Sequence, residues 1–121
     1  MNSRLVVLGT AAMLSTAAVG TAQTAAEVFQ KGIYTQETVG DVDTSIELYR
    51  RVIGKLGTDH GLAARVQMQL VRAFLQKGDF SGATREFNTL RRKYADQKDV
   101  VSAASAAIRW ARRAAPAETG K

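Results

Sequence analysis

Gly40-Asp41-Val42-Asp43-Thr44-Ser45-Ile46-Glu47-Leu48-Tyr49-Arg50-Arg51-Val52 is answered further along the chain by Gly78-Asp79-Phe80-Ser81-Gly82-Ala83-Thr84-Arg85-Glu86-Phe87-Asn88-Thr89-Leu90. Each copy reads as a Gly-Asp turn, an apolar residue, a small residue (Ser45, Ala83), an aromatic four positions on (Tyr49, Phe87) and an aliphatic three beyond that (Val52, Leu90). Offsets of three and four put the small, aromatic and aliphatic residues on one face of a helix. The small residue lets a neighbouring helix come close before the aromatic fills the remaining gap. Repetition at this spacing points to stacked helical hairpins, each unable to bury its apolar face alone.

Working outward from the two copies, the pattern predicts five helices. The first covers about Ala25 to Thr38, with Val28, Phe29 and Ile33 on its apolar side and Gly40 just past its end. The second covers about Val42 to Leu56; Val42, Ser45, Ile46, Tyr49, Val52, Ile53 and Leu56 keep the three-four rule throughout. Asp41 stands where an N-cap accepts the first free backbone N–H groups. Gly57-Thr58-Asp59-His60-Gly61 breaks the pattern, and Thr58 or Asp59 is placed to cap the next helix. That third helix, about Leu62 to Lys77, has two apolar stripes (Val66, Leu70, Phe74 and Met68, Val71, Leu75), so it is expected between neighbours. The fourth spans about Phe80 to Tyr94 and the fifth about Lys98 to Ala114, with Asp96 as the expected cap between them. In the fifth, Val101, Ala104, Ile108 and Ala111 share a face and Trp110 lies off it. Strand-like alternation is missing throughout, so the fold class is all-α.

The ends read differently. Met1-Asn2-Ser3-Arg4 is a short positive head, Leu5 to Val19 an apolar, alanine-rich run, and Gly20-Thr21-Ala22 a peptidase-compatible stretch. Residues 1–22 are therefore expected to be a cleaved signal peptide, since the run is short and weakly apolar beside the roughly 20 residues of a membrane span. The alternative is a retained anchor. Residues 115–121, beginning at Pro116, are expected to be a disordered tail. Export implies an oxidising compartment, yet the chain has no cysteine, so packing alone must stabilise a domain of about 100 residues.

The charge is uneven. Without Arg4 the 17 basic residues become 16 against 11 acidic ones, a net +5. Gln23 to His60 holds four basic and six acidic residues; Gly61 to Lys121 holds twelve and five. The basic half favours an acidic partner surface, against the alternative of a solvated helix face.

With its hairpins laid out, the chain resembles the tetratricopeptide repeat family. Leu70, Phe74, Gly78-Asp79, Ala83, Phe87 and Leu90 of the unit Ala64 to Gln97 carry the likeness, as do Gly40-Asp41, Ser45, Tyr49 and Val52 of the unit Ala26 to Asp59. Gly32 stands where the family has a large aliphatic residue, the terminal proline of each unit is missing, and Gly40 to Gly78 is about four residues longer than the family's period. The resemblance implies a helical-hairpin solenoid of about two repeats at residues 23–114, closed by a C-terminal capping helix. It also implies a groove along the first helix of each unit: Glu27, Gln30, Tyr34 and Glu37, then Arg65, Met68, Arg72 and Gln76, then Ser102, Arg109 and Trp110. Arg65 and Arg72 can fork onto carboxylates, Met68 is adaptable apolar surface and Trp110 an aromatic anchor. For Met68 and Trp110 the competing reading is packing between helices. The lysine and asparagine clamp that many family members use for a C-terminal carboxylate is missing.

Chemistry is not encoded in any recognisable pattern. One histidine and no cysteine cannot supply a metal site of ordinary spacing. His60, in its Gly-flanked linker, reads as an exposed loop residue, and no serine sits in a nucleophile-elbow motif. Gly54-Lys55 lacks the upstream glycine and following hydroxyl of a phosphate loop. Nucleic acid is disfavoured, because export and the lack of any nucleic-acid module outweigh the basic charge. The sequence thus leads to a non-enzymatic, cofactor-free adaptor, exported to a bacterial periplasm or beyond, that binds an acidic protein or peptide. The alternatives are self-association into a structural homo-oligomer, and attachment of the basic last helix to anionic membrane or cell-wall surface.

Overall fold

The computed structural model describes residues 23–115, and every element within them is helical. The expected signal peptide, and all but the first residue of the expected tail, lie outside these residues. The helices are α1 (Ala25–Tyr34), α2 (Val42–Ile53), α3 (His60–Gln76), α4 (Phe80–Lys93) and α5 (Lys98–Ala114). No described helix is long and apolar enough to cross a membrane.

The ends of these helices have local causes. Thr24 and Glu27 form a capping box at the start of α1: the Thr24 hydroxyl accepts from the Glu27 N–H, and the Glu27 carboxylate accepts from the Thr24 N–H. Asp41, Asp59 and Asp79 cap α2, α3 and α4 by accepting from Thr44, Leu62 and Gly82 backbone N–H groups. Asp96 does not cap α5. That position falls to Gln97, which makes no side-chain capping bond, while Asp96 accepts from Gln97 and pairs with His60. His60 is likewise not a loop residue. It opens α3, with Nε2 3.0 Å from Asp96 Oδ1 and its ring edge-on to Tyr94. α2 stops at Ile53, earlier than its apolar face, and Leu56 packs on the core from the turn that follows.

α1 does not end as a regular helix. It widens into a π-helical turn, Thr35–Val39, closed where the Gly40 and Asp41 N–H groups both donate to the Thr35 carbonyl. Gly40 has φ of 86°, a left-handed conformation that glycine adopts without the Cβ penalty. Gln36 continues the buried face of Phe29 and Gly32 at three-four spacing into this turn and is itself buried.

α1 packs on α2, α2 on α3, α3 on α4, and α5 covers both α3 and α4. One apolar core runs through all five helices, from Val28 and Phe29 through Tyr49, Val52, Leu70 and Phe74 to Ala83 and Ile108. The small residues of the two copies, Ser45 and Ala83, are completely enclosed in it. A second, smaller cluster of Ala64, Leu90 and Ala104 fastens α5 to α3 and α4. α3 is the central element, as its two stripes require: Val66, Leu70 and Val71 are all fully buried.

Candidate functional site

α1 and α3 lie beside each other at one surface and leave a cleft of about 360 Å³ between them. Phe29 and Ile33 of α1 form its apolar floor, Gln30 its near wall, and Arg65, Met68, Gln69 and Arg72 of α3 its far wall. Helical spacing sets this row. Residues 65, 68, 69 and 72 recur every three to four positions, so they share the face of α3 opposite its buried Ala63, Gln67 and Phe74. Arg65 and Arg72 are seven residues apart, roughly 10 Å along the axis, with Met68 between them.

The electrostatics of the cleft are one-sided. No acidic side chain lines it. The described residues contain two ion pairs, Arg50–Glu86 and Lys77–Asp43, and a His60–Asp96 contact, and neither Arg65 nor Arg72 takes part in any of them. Two exposed guanidinium groups flanking a thioether above an apolar floor suit a segment that carries carboxylates on one side and apolar groups on the other.

A polar cluster lies beneath the cleft's glutamine edge. The Tyr49 hydroxyl donates to Gln36 Oε1 at 2.6 Å, and the Gln69 amide donates to the same oxygen at 3.3 Å. The Gln36 amide in turn donates to Gln76 Oε1 at 3.0 Å. Burial pushes the Tyr49 phenol above its ordinary value, so it stays a proton donor to Gln36 at neutral pH. These bonds tie α2 and the π-helical turn to α3, and they fix the position of Gln69 in the cleft wall.

The predicted groove residues therefore divide. Gln30, Arg65, Met68 and Arg72 come together in the α1/α3 cleft. Gln76 is held by Gln36 at the edge of the polar cluster. Glu27, Tyr34 and Glu37 are exposed but outside the cleft lining, Tyr34 at 59%. Ser102 and Arg109 line a separate depression of about 420 Å³ between α4 and α5, with Phe87, Arg91, Lys98 and Ser105. Trp110 joins neither; it is 69% exposed on the outer side of α5. The sequence pattern assigned no role to Gln69 or the buried Gln36, because a glutamine reads as a solvated amide, although Gln36 follows Phe29 and Gly32 at three-four spacing on the buried face.

Among the described residues no three His, Cys, Asp or Glu side chains gather as metal ligands. No family model, curated protein or solved structure matches the chain.

Proposed function

We propose that the protein is a non-enzymatic adaptor, a short helical-repeat array of the tetratricopeptide type, that holds an acidic segment of another exported protein in the α1/α3 cleft. The observation that carries this reading is the pair Arg65 and Arg72, both outside any described ion pair, flanking Met68 over the Phe29 and Ile33 floor. A partner segment with two carboxylates about 10 Å apart, two helical turns or three extended residues, would match the guanidinium spacing. The repeat reading is supported by the matched Gly-Asp stretches and their enclosed Ser45 and Ala83. The export reading is supported by the positive head and apolar run of residues 1–22.

The test is a titration of the labelled protein with an acidic amphipathic peptide, followed by NMR. The Met68 methyl and the Arg65 and Arg72 signals should shift together, and the double variant Arg65→Glu, Arg72→Glu should lose at least about tenfold in affinity. Shifts confined to the α4/α5 depression would retire the cleft assignment. They would favour a second reading, supported by Arg91, Lys98 and Arg109 around that depression: attachment to an anionic surface. Vesicle binding that disappears at high salt would accompany it.

A further inference from the structure

α5 uses only part of its circumference inside the molecule. Ala104 and Ile108 are buried against the core, while Asp99, Ala103, Ala106, Trp110 and Arg113 are all exposed. Intervals of four, three, four and three residues put these five on one narrow stripe, opposite Ile108. The stripe has an order: an acid at the N-terminal end, two alanines in the middle, the chain's single tryptophan, then a base.

That order is its own complement. Reversed about Ala106, residue 99 faces residue 113 and residue 110 faces residue 102. Two α5 helices packed antiparallel would thus place each Asp99 against the other copy's Arg113. Each indole would lie on the shallow surface left by the other copy's Ser102, Ala103 and Ala106. Parallel packing would instead set Asp99 on Asp99 and Arg113 on Arg113, both repulsive. Alanine at positions 103 and 106 lets two helices approach closely enough for the large ring to be covered, and a two-fold contact needs this self-matching pattern.

We propose that the outer face of α5 is a homodimer interface, formed by antiparallel α5 helices about a two-fold axis at Ala106, with Trp110 as the anchor on each side. The face is distinct from the α1/α3 cleft, so the dimer stands or falls independently of the adaptor reading. One helix pair is a small contact, and the dimer is accordingly concentration-dependent.

Sedimentation velocity on the full chain tests this, read together with the emission of its lone tryptophan. The wild type should pass from monomer to dimer as concentration rises, with the emission moving to shorter wavelength as the indole leaves water. Trp110→Ala should raise the dissociation constant at least about tenfold, with helicity unchanged by circular dichroism. Asp99→Arg and Arg113→Asp should each weaken the dimer by about tenfold, since the axis repeats every change twice. The double variant carrying both should return to within about threefold of the wild type, because the two charges have only exchanged places. A monomer at every concentration, a dimer indifferent to Trp110→Ala, or a double variant as weak as the singles would each overturn the proposal.

Discussion

Gly78 follows Gly40 by 38 positions, and the same shift lays α3–α4 over α1–α2 residue by residue. The two hairpins then solve one packing problem in opposite ways. In α1–α2 the ring of Tyr49, on the second helix, lies over Gly32 on the first; a Cβ at Gly32 would stand 2.6 Å from Tyr49 Cε1. In α3–α4 the matching positions are Phe87 and Leu70, and Leu70 fills the space itself. Phe87 is only partly buried and lines the α4/α5 depression instead. The close ring contact moves to the other partner: Phe74, on the first helix, lies over Gly82 on the second, 2.5 Å from where its Cβ would be. The polar contacts exchange too. Phe29 and Leu48 of the first hairpin belong to the apolar core, whereas their counterparts Gln67 and Glu86 are hydrogen-bonded to each other at 2.7 Å. Glu86 is just 6% exposed and is completed by Arg50 reaching across from α2 at 2.7 Å. The comparison teaches that a shared turn and a shared small-residue notch leave the interior free to diverge, provided each glycine meets a ring and each buried acid meets donors.

Aromatic truncation should break the likeness most sharply. Tyr49→Ala removes a fully enclosed ring and is expected to cost about 3–5 kcal/mol. Phe87→Ala, at the matched position, should cost about 1–2 kcal/mol because its ring is already part-solvated. Urea unfolding of the two variants measures the difference, and equal losses would deny the asymmetry. Against a typical domain stability of 5–15 kcal/mol, the first variant stands near the threshold of folding.

Glycine replacement comes next. Alanine ordinarily improves a helix by up to about 1 kcal/mol. At Gly32 and Gly82 the ring contacts should reverse that sign and destabilise by about 1–3 kcal/mol. Gly54→Ala is the control: its new Cβ would meet only ordinary contacts, the nearest at 3.6 Å, so its thermal midpoint should hold or rise slightly.

The polar pair gives a smaller effect. Glu86→Ala leaves the Gln67 amide with one acceptor, the residue 86 carbonyl, and releases Arg50, a loss of about 1–3 kcal/mol. Tyr49→Phe, which keeps the ring and deletes its donor to Gln36, should cost about 1 kcal/mol, since Gln69 still donates there. Calorimetry on both variants orders them.

The smallest effect is a pH dependence. Hydrogen bonds from the Thr44 hydroxyl and backbone N–H hold the Asp41 carboxyl below its ordinary value. A depressed folded value means its contribution is complete above the unfolded-chain value near about 4 and lost as pH falls through the folded one. The midpoint gap between wild type and Asp41→Asn should therefore be present at neutral pH and close in acid. A gap that widens in acid would contradict the sign.

How much of this was legible follows the physics of each feature. The Gly-Asp turns, the Asp41 cap, a cap at Thr58 or Asp59 and the enclosed Ser45 and Ala83 all depend on local chemistry or three-four spacing, and both are visible in the chain; the Asp79 cap reads only as part of its turn. The Thr24 and Glu27 box was equally visible and went unread. Gly32 read as an anomaly because its meaning lies in Tyr49, seventeen positions away and on another helix. Asp96 had the chemistry of a cap, but its carboxylate faces His60 at the start of α3 instead, 3.0 Å from Nε2. The α3 row is what the repeat resemblance implies, and Arg65, Met68 and Arg72 of it do line one cleft. Its α5 continuation does not join them, because which side of α5 meets α4 depends on tertiary packing.

The two clefts, one between α1 and α3 and one between α4 and α5, also give the sharpest test of function. A photo-activated crosslinking side chain placed at Met68, or separately at Ser105, can be carried into the protein's native cells. The account predicts a defined protein adduct from Met68 that disappears when Arg65 and Arg72 are changed to glutamate, and none from Ser105. An adduct from Ser105 alone, or a Met68 adduct indifferent to both arginines, would contradict it.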